Sequence, residues 1–273
     1  MSKSTMLCLA VAVCALFPAQ VTRGQDLRVY TSVVNVSHEG ESPTILSSSL
    51  TLFHAGKVYD YMEEIGEVVI YEPSHHRFII LGKDFSATEV PFAELNHFLE
   101  AAQQESVKYI RELASKNSEE NARLAATIRF QLQPDFQKNF LEESQTLQFR
   151  GSSMNYDVRT GAAPSPEVVN RYLDYADWAA RLNYVLHPHS AFPAPRLTLN
   201  EALRKRKLLP VQVDRTTHLD GIERLRASHS FSFELQPVDK RHISHWERTL
   251  LSDQVRWLTF HEYQQQLLAA QAK

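Results

Sequence analysis

Cysteine is almost absent from this sequence, and both copies lie near the N-terminus, at Cys8 and Cys14. They belong to an apolar run, residues 6–17, that we expect to leave with a signal peptide. The remaining chain would then contain no disulfide, no thiolate metal site and no cysteine nucleophile. A chain of about 250 residues can bury a sufficient core without disulfides, so its lack of cysteine favours a bacterial periplasmic or secreted protein.

Clustered glycines, long later hydrophobic runs and excess positive charge are also missing. The seven glycines after residue 24 are isolated, which argues against a phosphate-binding loop, and we predict no cofactor. No later window approaches 18 apolar residues, so we predict no transmembrane segment in the mature chain. Loss of residues 1–24 removes Lys3 and Arg23 but no acid, which takes the formal charge from −3 to −5. Because nucleic-acid binding needs a basic face, we expect no nucleic-acid partner.

The N-terminal segment has the three parts of an export signal. Lys3 gives a basic start, residues 6–17 form an apolar run of twelve, and Pro18 ends it. Thr22 and Gly24 supply small residues at the −3 and −1 positions for cleavage before Gln25. A run of this length is too short to cross a bilayer. We therefore predict that residues 1–24 are a cleaved signal peptide and that the protein is periplasmic or extracellular.

The next part of the chain has the pattern of an antiparallel meander. Alternation with a period of two predicts strands at 27–37, 45–53, 58–62, 67–71 and 77–81, separated by turns rich in glycine and proline. Ser47, Ser48 and Ser49 lie within the second strand, where small hydroxyl side chains either fill space or face a cavity. Sequential short strands pair most simply with their neighbours, so a curved antiparallel sheet is expected.

Helical patterns follow, and strand patterns then return. Apolar residues at helical spacing predict helices from Pro91 to about residue 132 and from Pro166 to about residue 186. Residues 187–195 contain three prolines and are predicted to be irregular, and shorter strands and helices complete the chain. We predict an α+β fold, a curved antiparallel sheet covered by helices on one side. Residues 25–273 are expected to form a single domain, and 161–166 is the candidate for an internal boundary.

Aromatic residues suggest one candidate binding site. They cluster on the predicted meander and recur every three residues on the long helix after Pro166. Core packing explains such residues, and the alternative is an apolar ligand cavity between a curved sheet and its helices. The candidate ligand-binding residues are Phe53, Tyr59, Tyr61, Tyr71, Tyr172 and Trp178.

Histidines suggest a second, different kind of site. His187 and His189 form a pair in the proline-rich segment, and His242 and His245 are three residues apart on a predicted helix. Two such pairs could contribute to a metal site, although zinc requires three or four convergent ligands and no third ligand stands at a diagnostic spacing. Surface or hydrogen-bonded histidines are the alternative.

The order of strands, helices and returning strands resembles the half-barrels that carry lipoproteins or lipids across bacterial periplasms. The resemblance is architectural, covers roughly sixty residues after the signal peptide and includes no specific motif. Those carriers usually begin with a helix, whereas this chain begins with a strand. The resemblance implies a carrier with an apolar ligand, and no residue roles are taken from it.

Three functions are therefore compatible with the sequence. The first is an exported, non-catalytic binding or carrier protein of the bacterial periplasm or cell envelope, with a small apolar ligand between sheet and helices. The second is a secreted hydrolase, metal-assisted through a histidine pair. The third is a structural envelope component with a protein partner. The absence of catalytic motifs favours the binding or carrier protein over an enzyme.

Overall fold

A computed structural model describes residues 26–37, 43–116, 118–187, 190–218 and 221–271. The predicted signal peptide, residues 1–24, and its cleavage site lie outside the described residues. Twelve strands and six α-helices occupy the described part. The strands are β1 (Leu27–Asn35), β2 (Thr44–His54), β3 (Lys57–Met62), β4 (Glu67–Glu72), β5 (Arg77–Leu81), β6 (Ser86–Pro91), β7 (Gln137–Leu141), β8 (Thr146–Arg150), β9 (Met154–Ala162), β10 (Leu208–His218), β11 (Ile222–Ser232) and β12 (Arg256–Leu258). The helices are α1 (Phe92–Ser115), α2 (Glu119–Leu132), α3 (Pro166–Leu186), α4 (Ala194–Arg206), α5 (Pro237–Leu250) and α6 (Phe260–Gln271).

All twelve strands lie in one sheet, in the order β12-β6-β5-β4-β3-β2-β1-β11-β10-β9-β8-β7. Each neighbouring pair is antiparallel except β12 and β6, which are parallel. β1 to β5 form the predicted meander in chain order, and β6 extends it by one strand. β1 then pairs with β11, so that the first and last parts of the chain meet at the centre of the sheet, with Thr31 opposite His229.

The main core lies between one face of the sheet and the helices. Alternate residues of the strands point to this face, including Leu27 and Val29 of β1, and pack against buried residues of α1, α2, α3, α4 and α6. α3 contributes most, because Pro166 and Glu167 start a helix whose apolar stripe faces the sheet. The α+β class, the curved antiparallel sheet and its helical cover are therefore confirmed.

A second, smaller core lies on the opposite face of the sheet. There Ile243 and Trp246 of α5 pack against β2 to β6, with Tyr59 and Ile70 among the buried residues. α5 begins with a capping box in which Asp239, fully buried, accepts a hydrogen bond from the backbone N–H of Gln236. α5 therefore covers part of the sheet face for which the sequence predicted no helix.

Several elements differ from the sequence prediction, among them the unpredicted strands β7 and β12 and the starts of two helices. Residues 86–91, expected to lead into a helix, form β6, and the helix starts at Phe92 because Pro91 holds an extended conformation. Within the segment predicted to be irregular, α4 already begins at Ala194. Proline is tolerated in the first turn of a helix, so Pro195 does not prevent this start.

The candidate boundary at 161–166 connects β9 to α3, and strands from both sides of it belong to the same sheet. Among the described residues, no helix is both long and apolar enough to span a membrane.

Candidate functional site

A cavity of about 430 Å³ lies between the main face of the sheet and α3. Its floor is built from β1, β2, β3, β9, β10 and β11, on both sides of the β1–β11 pair. Its roof is α3 together with residues 190–196, which lead into α4. The cavity therefore spans the junction between the two parts of the chain that form the sheet.

Small side chains create this space. Ala176, Ala179 and Ala180 line the cavity from α3, and their spacing places them on one side of the helix. Val33 of β1 and Ala227 of β11, which are paired in the sheet, face them from the floor. Alanine side chains are too short to reach across to the sheet, so the interface stays open here.

One end of the cavity carries a hydrogen-bonded acidic group. Asp60 of β3 accepts a hydrogen bond from Thr51 Oγ1 at 2.8 Å and another from the Tyr175 hydroxyl at 2.7 Å. Burial, together with the charge of Asp60, raises the pKa of Tyr175 well above its usual value, so the phenol keeps its proton and remains a donor. Both carboxylate oxygens thus have protein partners.

A histidine and an arginine, His229 and Arg196, also line the cavity. The Nδ1 atom of His229 lies 3.0 Å from Thr31 Oγ1, and its Nε2 atom is buried without a hydrogen-bond partner among the described residues. Burial and the nearby charge of Arg196 lower the pKa of His229 to about 3, so the ring is neutral at pH 7. Arg196 donates its Nε–H to Asn200 Oδ1 at 3.0 Å, and Asn200 is held in turn by Asp177 at 2.7 Å.

Arg215 of β10 lines the cavity near its other end. One terminal nitrogen forms an ion pair with Glu223 at 3.0 Å, while the Nε atom is buried and has no partner within the described part of the chain. The register of β9 and β10 places Tyr156 opposite Arg215. Burial raises the pKa of Tyr156, and the charges of Arg196 and Arg215 act against this rise. All three residues line the cavity.

Of the six aromatic residues predicted as a binding site, Tyr172 lines the cavity. Phe53 and Tyr71 lie on the same face but pack within the core beside it, where each contacts Tyr175 at a ring-centroid distance of 5.8 Å. Trp178 stacks on Phe92 at 3.8 Å and fills the space next to the cavity.

The other two aromatics lie on the opposite face. Tyr59 and Tyr61 both pack against Trp246 of α5, at 6.0 and 5.3 Å, and the Tyr59 hydroxyl donates to Glu247 at 2.6 Å. The fold therefore does not bring the six predicted residues into one site, because residues 59 and 61 of β3 point away from residues 58 and 60.

The predicted histidine pairs are placed as follows. His242 stacks against Tyr61 at 6.2 Å and faces the sheet, whereas His245 is exposed. His187 is exposed at the end of α3, and His189 lies outside the described residues. Within the described ranges, no group of three or more His, Cys, Asp and Glu side chains is placed to hold a metal ion.

The polar residues of the cavity were not identified as a site from the sequence, apart from the possibility that the serines of β2 face a cavity. Ser49 does line it. Arg196, Arg215 and His229 stand 19 and 14 residues apart along the chain and carry no shared motif. The sequence feature that could have indicated the cavity is the alanine-rich side of α3, because small residues on a core-facing helix leave room for a ligand.

A search of protein-family models with this sequence finds no match, and a search of curated proteins finds no significant relative.

Proposed function

We propose that this chain is an exported, non-catalytic binding or carrier protein of the bacterial periplasm or cell envelope. The cavity of about 430 Å³ between the sheet and α3 carries the proposal, because it provides a site for a small ligand with an apolar body. Small-molecule sites have volumes of about 300–1,000 Å³ and combine apolar walls with a few convergent polar groups. This cavity has both.

The walls support an apolar ligand body. Ala176, Ala179 and Ala180 form one wall, and Leu225 and Ala227 of β11 contribute to the other. A ligand between them would remove apolar surface from water at a gain of about 25 cal/mol per Å². Export is supported by the sequence of residues 1–24.

A hydrolase finds less support. Ser153 and His218 line a second hollow, of about 490 Å³, next to α2. The Ser153 Oγ atom is buried and has no hydrogen-bond partner among the described residues, so the nucleophile–base contact of a serine hydrolase is not formed there.

Native mass spectrometry of the protein exported by a bacterial host tests the proposal directly. The denatured mass shows whether the mature chain begins at Gln25. An additional native mass of a few hundred daltons that can be extracted into organic solvent supports a copurified apolar ligand. An excess equal to one metal ion would instead favour the metal-assisted hydrolase.

A neutral fluorescent probe, N-phenylnaphthylamine, tests the cavity itself. We expect the delipidated wild-type protein to bind it with a rise in fluorescence, and Ala180→Phe to abolish this binding because the phenyl ring fills the cavity. Ala101→Phe is the matched control, since Ala101 is exposed on α1. If Ala180→Phe and the wild type bind the probe equally, the cavity is not the binding site.

A further inference from the structure

The charged residues of the cavity are distributed unevenly. Asp60 lies on β3 and Arg215 on β10, and the sheet order places three strands between them. At about 4.8 Å per strand, the backbones at these two positions are separated by about 19 Å across the sheet. Asp60 already accepts hydrogen bonds from Thr51 and Tyr175 on its two oxygens. Asp60 therefore has hydrogen-bond donors of its own and lies too far from Arg215 to form an ion pair with it.

Arg196, in the first turn of α4, is one of the two cations that line the cavity. In the described part of the chain, no carboxylate lies within 4.0 Å of its guanidinium group. Its protein contacts are the Asn200 side chain and the phenol of Tyr172. A guanidinium group carries five N–H donors, which is more than these two partners can accept. A positive charge with spare donors thus faces a space large enough for a ligand.

Two further polar atoms at the cavity lack partners. They are the Nε of Arg215 and the Nε2 of His229, both buried and both without a hydrogen bond among the described residues. A buried donor without an acceptor costs free energy, and native proteins resolve that cost with a water molecule or a ligand. Thr31 Oγ1 lies 3.0 Å from Nδ1 of His229. When this hydroxyl donates to Nδ1, the ring proton is on Nε2, which then becomes a donor.

We propose that the cavity binds amphipathic monocarboxylates, with the carboxylate held by Arg196 together with the free Nε–H of Arg215 or Nε2–H of His229. The hydrocarbon body would lie between the α3 alanines and the floor formed by β1 and β11. This inference rests on the proposed binding function and specifies its ligand class. A ligand carboxylate would accept hydrogen bonds from the spare donors of Arg196. Carboxylates are among the acceptors with which arginine forms its strongest hydrogen bonds.

A single negative charge fits the site better than a phosphate. Arg215 is ion-paired with Glu223 and Asp60 lies at the opposite end of the cavity, so Arg196 is the lining cation without a carboxylate partner among the described residues. Free backbone N–H groups at helix N-termini are one common source of phosphate contacts. α4 begins beside the cavity, but Pro193 and Pro195 have no N–H to offer there.

The test compares two probes that differ in the head group alone, decanoate and 1-decanol. Each displaces N-phenylnaphthylamine from the delipidated full mature chain at pH 7. We expect decanoate to bind wild-type protein at least about tenfold more tightly than decanol, as a charge-assisted hydrogen bond predicts. Arg196→Gln should remove this preference by weakening decanoate binding about tenfold while leaving decanol binding unchanged.

Lys205→Gln is the control, because it removes a positive charge from the exposed side of the same helix and should change neither affinity. The wild-type comparison needs no variant, so it remains decisive if Arg196→Gln does not fold. Equal wild-type affinities for decanoate and decanol would overturn the head-group assignment and leave the proposed binding function intact. Failure of decanoate, decanol and the fluorescent probe to bind at all would overturn both.

Discussion

One face of the sheet meets α3 in two different ways. Next to β4 and β5 the interface is filled with aromatic rings, where Phe78 is completely buried between Tyr71 and Phe92, with centroid distances of 5.3 and 5.5 Å, and Trp178 covers Phe92. Over β1 and β11 the same helix presents alanines, and the floor presents small or polar side chains. The first region is closed and the second contains the cavity.

The two regions differ in the size of the side chains that meet between the sheet and α3. Aromatic rings fill the space next to β4 and β5, and alanines leave space over β1 and β11. Protein interiors are packed to the density of organic crystals, and an open space persists only where no side chain is long enough to fill it. Variants that replace large residues by small ones in the filled region, or small residues by large ones in the open region, therefore test whether side-chain size accounts for the difference.

The largest expected effect is a new cavity in the filled region. Phe78→Ala should lower the free energy of unfolding by about 3–5 kcal/mol, because it removes a buried ring that the neighbouring rings cannot replace. Val33→Ala in the open region should cost less than about 1.5 kcal/mol, since Val33 already borders a cavity. Urea unfolding of both variants measures the difference, and equal losses would contradict the comparison.

The next effect concerns the pH dependence of stability in the open region. The folded-state pKa of His229 is lowered to about 3, mainly by burial and further by Arg196. The unfolded chain therefore binds a proton between about pH 6.5 and pH 3 that the folded chain excludes, so stability is fully present above pH 6.5 and is lost as the pH falls.

In ligand-free protein, the free energy of unfolding should fall less steeply with decreasing pH in His229→Gln than in wild type. We expect the slopes to differ by about 1 kcal/mol per pH unit between pH 6 and pH 4. Urea unfolding over a pH series measures this slope. The exposed His245→Gln should retain the wild-type slope. A wild-type slope in His229→Gln would mean that this ring is not held neutral in the folded protein.

A smaller effect is expected at the border between the two regions. Tyr175 packs against Phe53 on the filled side and donates its hydroxyl to Asp60 on the open side. Tyr175→Phe should cost about 1–2 kcal/mol of stability, because Asp60 loses one donor while the ring packing is retained. Thermal or urea unfolding measures it, with the exposed Tyr109→Phe as a control expected to remain within about 0.5 kcal/mol of wild type.

The smallest effect should come from added volume in the open region. Ala180→Phe should change the free energy of unfolding by less than about 1 kcal/mol, since the ring enters space that already exists. Val90→Phe, at a completely buried position in the filled region, should cost about 1–3 kcal/mol through overpacking. Similar costs at both positions in urea unfolding would show that the cavity is not available to a side chain.

Much of the fold could be predicted because its signals are local. The alternation at 27–37 and 45–53 predicted β1 and β2 to within a few residues, and Pro166 predicted the start of α3. β6 was missed because Pro91 at its end also fits the first turn of a helix. The start of α4 was missed for a related reason, since prolines at 193 and 195 are compatible with both a loop and a helix start.

The candidate site was less predictable because it depends on contacts between distant residues. Aromatic residues were expected to line a cavity, yet Phe53, Tyr71 and Trp178 pack beside it, and Tyr59 and Tyr61 face α5. Large rings fill space and small residues leave it open, so the alanines of α3 were the more informative signal. A sequence pattern gives the face of a strand or helix but not the element that will cover it.

By itself, the sequence determined the α+β class, the order of the meander and the helical character of α3, because hydrophobic periodicity and proline positions act over a few residues. The tertiary structure alone decided that β1 pairs with β11, which places Thr31 opposite His229 across 198 residues of chain. It also decided that Arg196 and Arg215 line the same space. Such pairings depend on the packing of the whole chain, since no local pattern records which distant strand or helix will lie alongside.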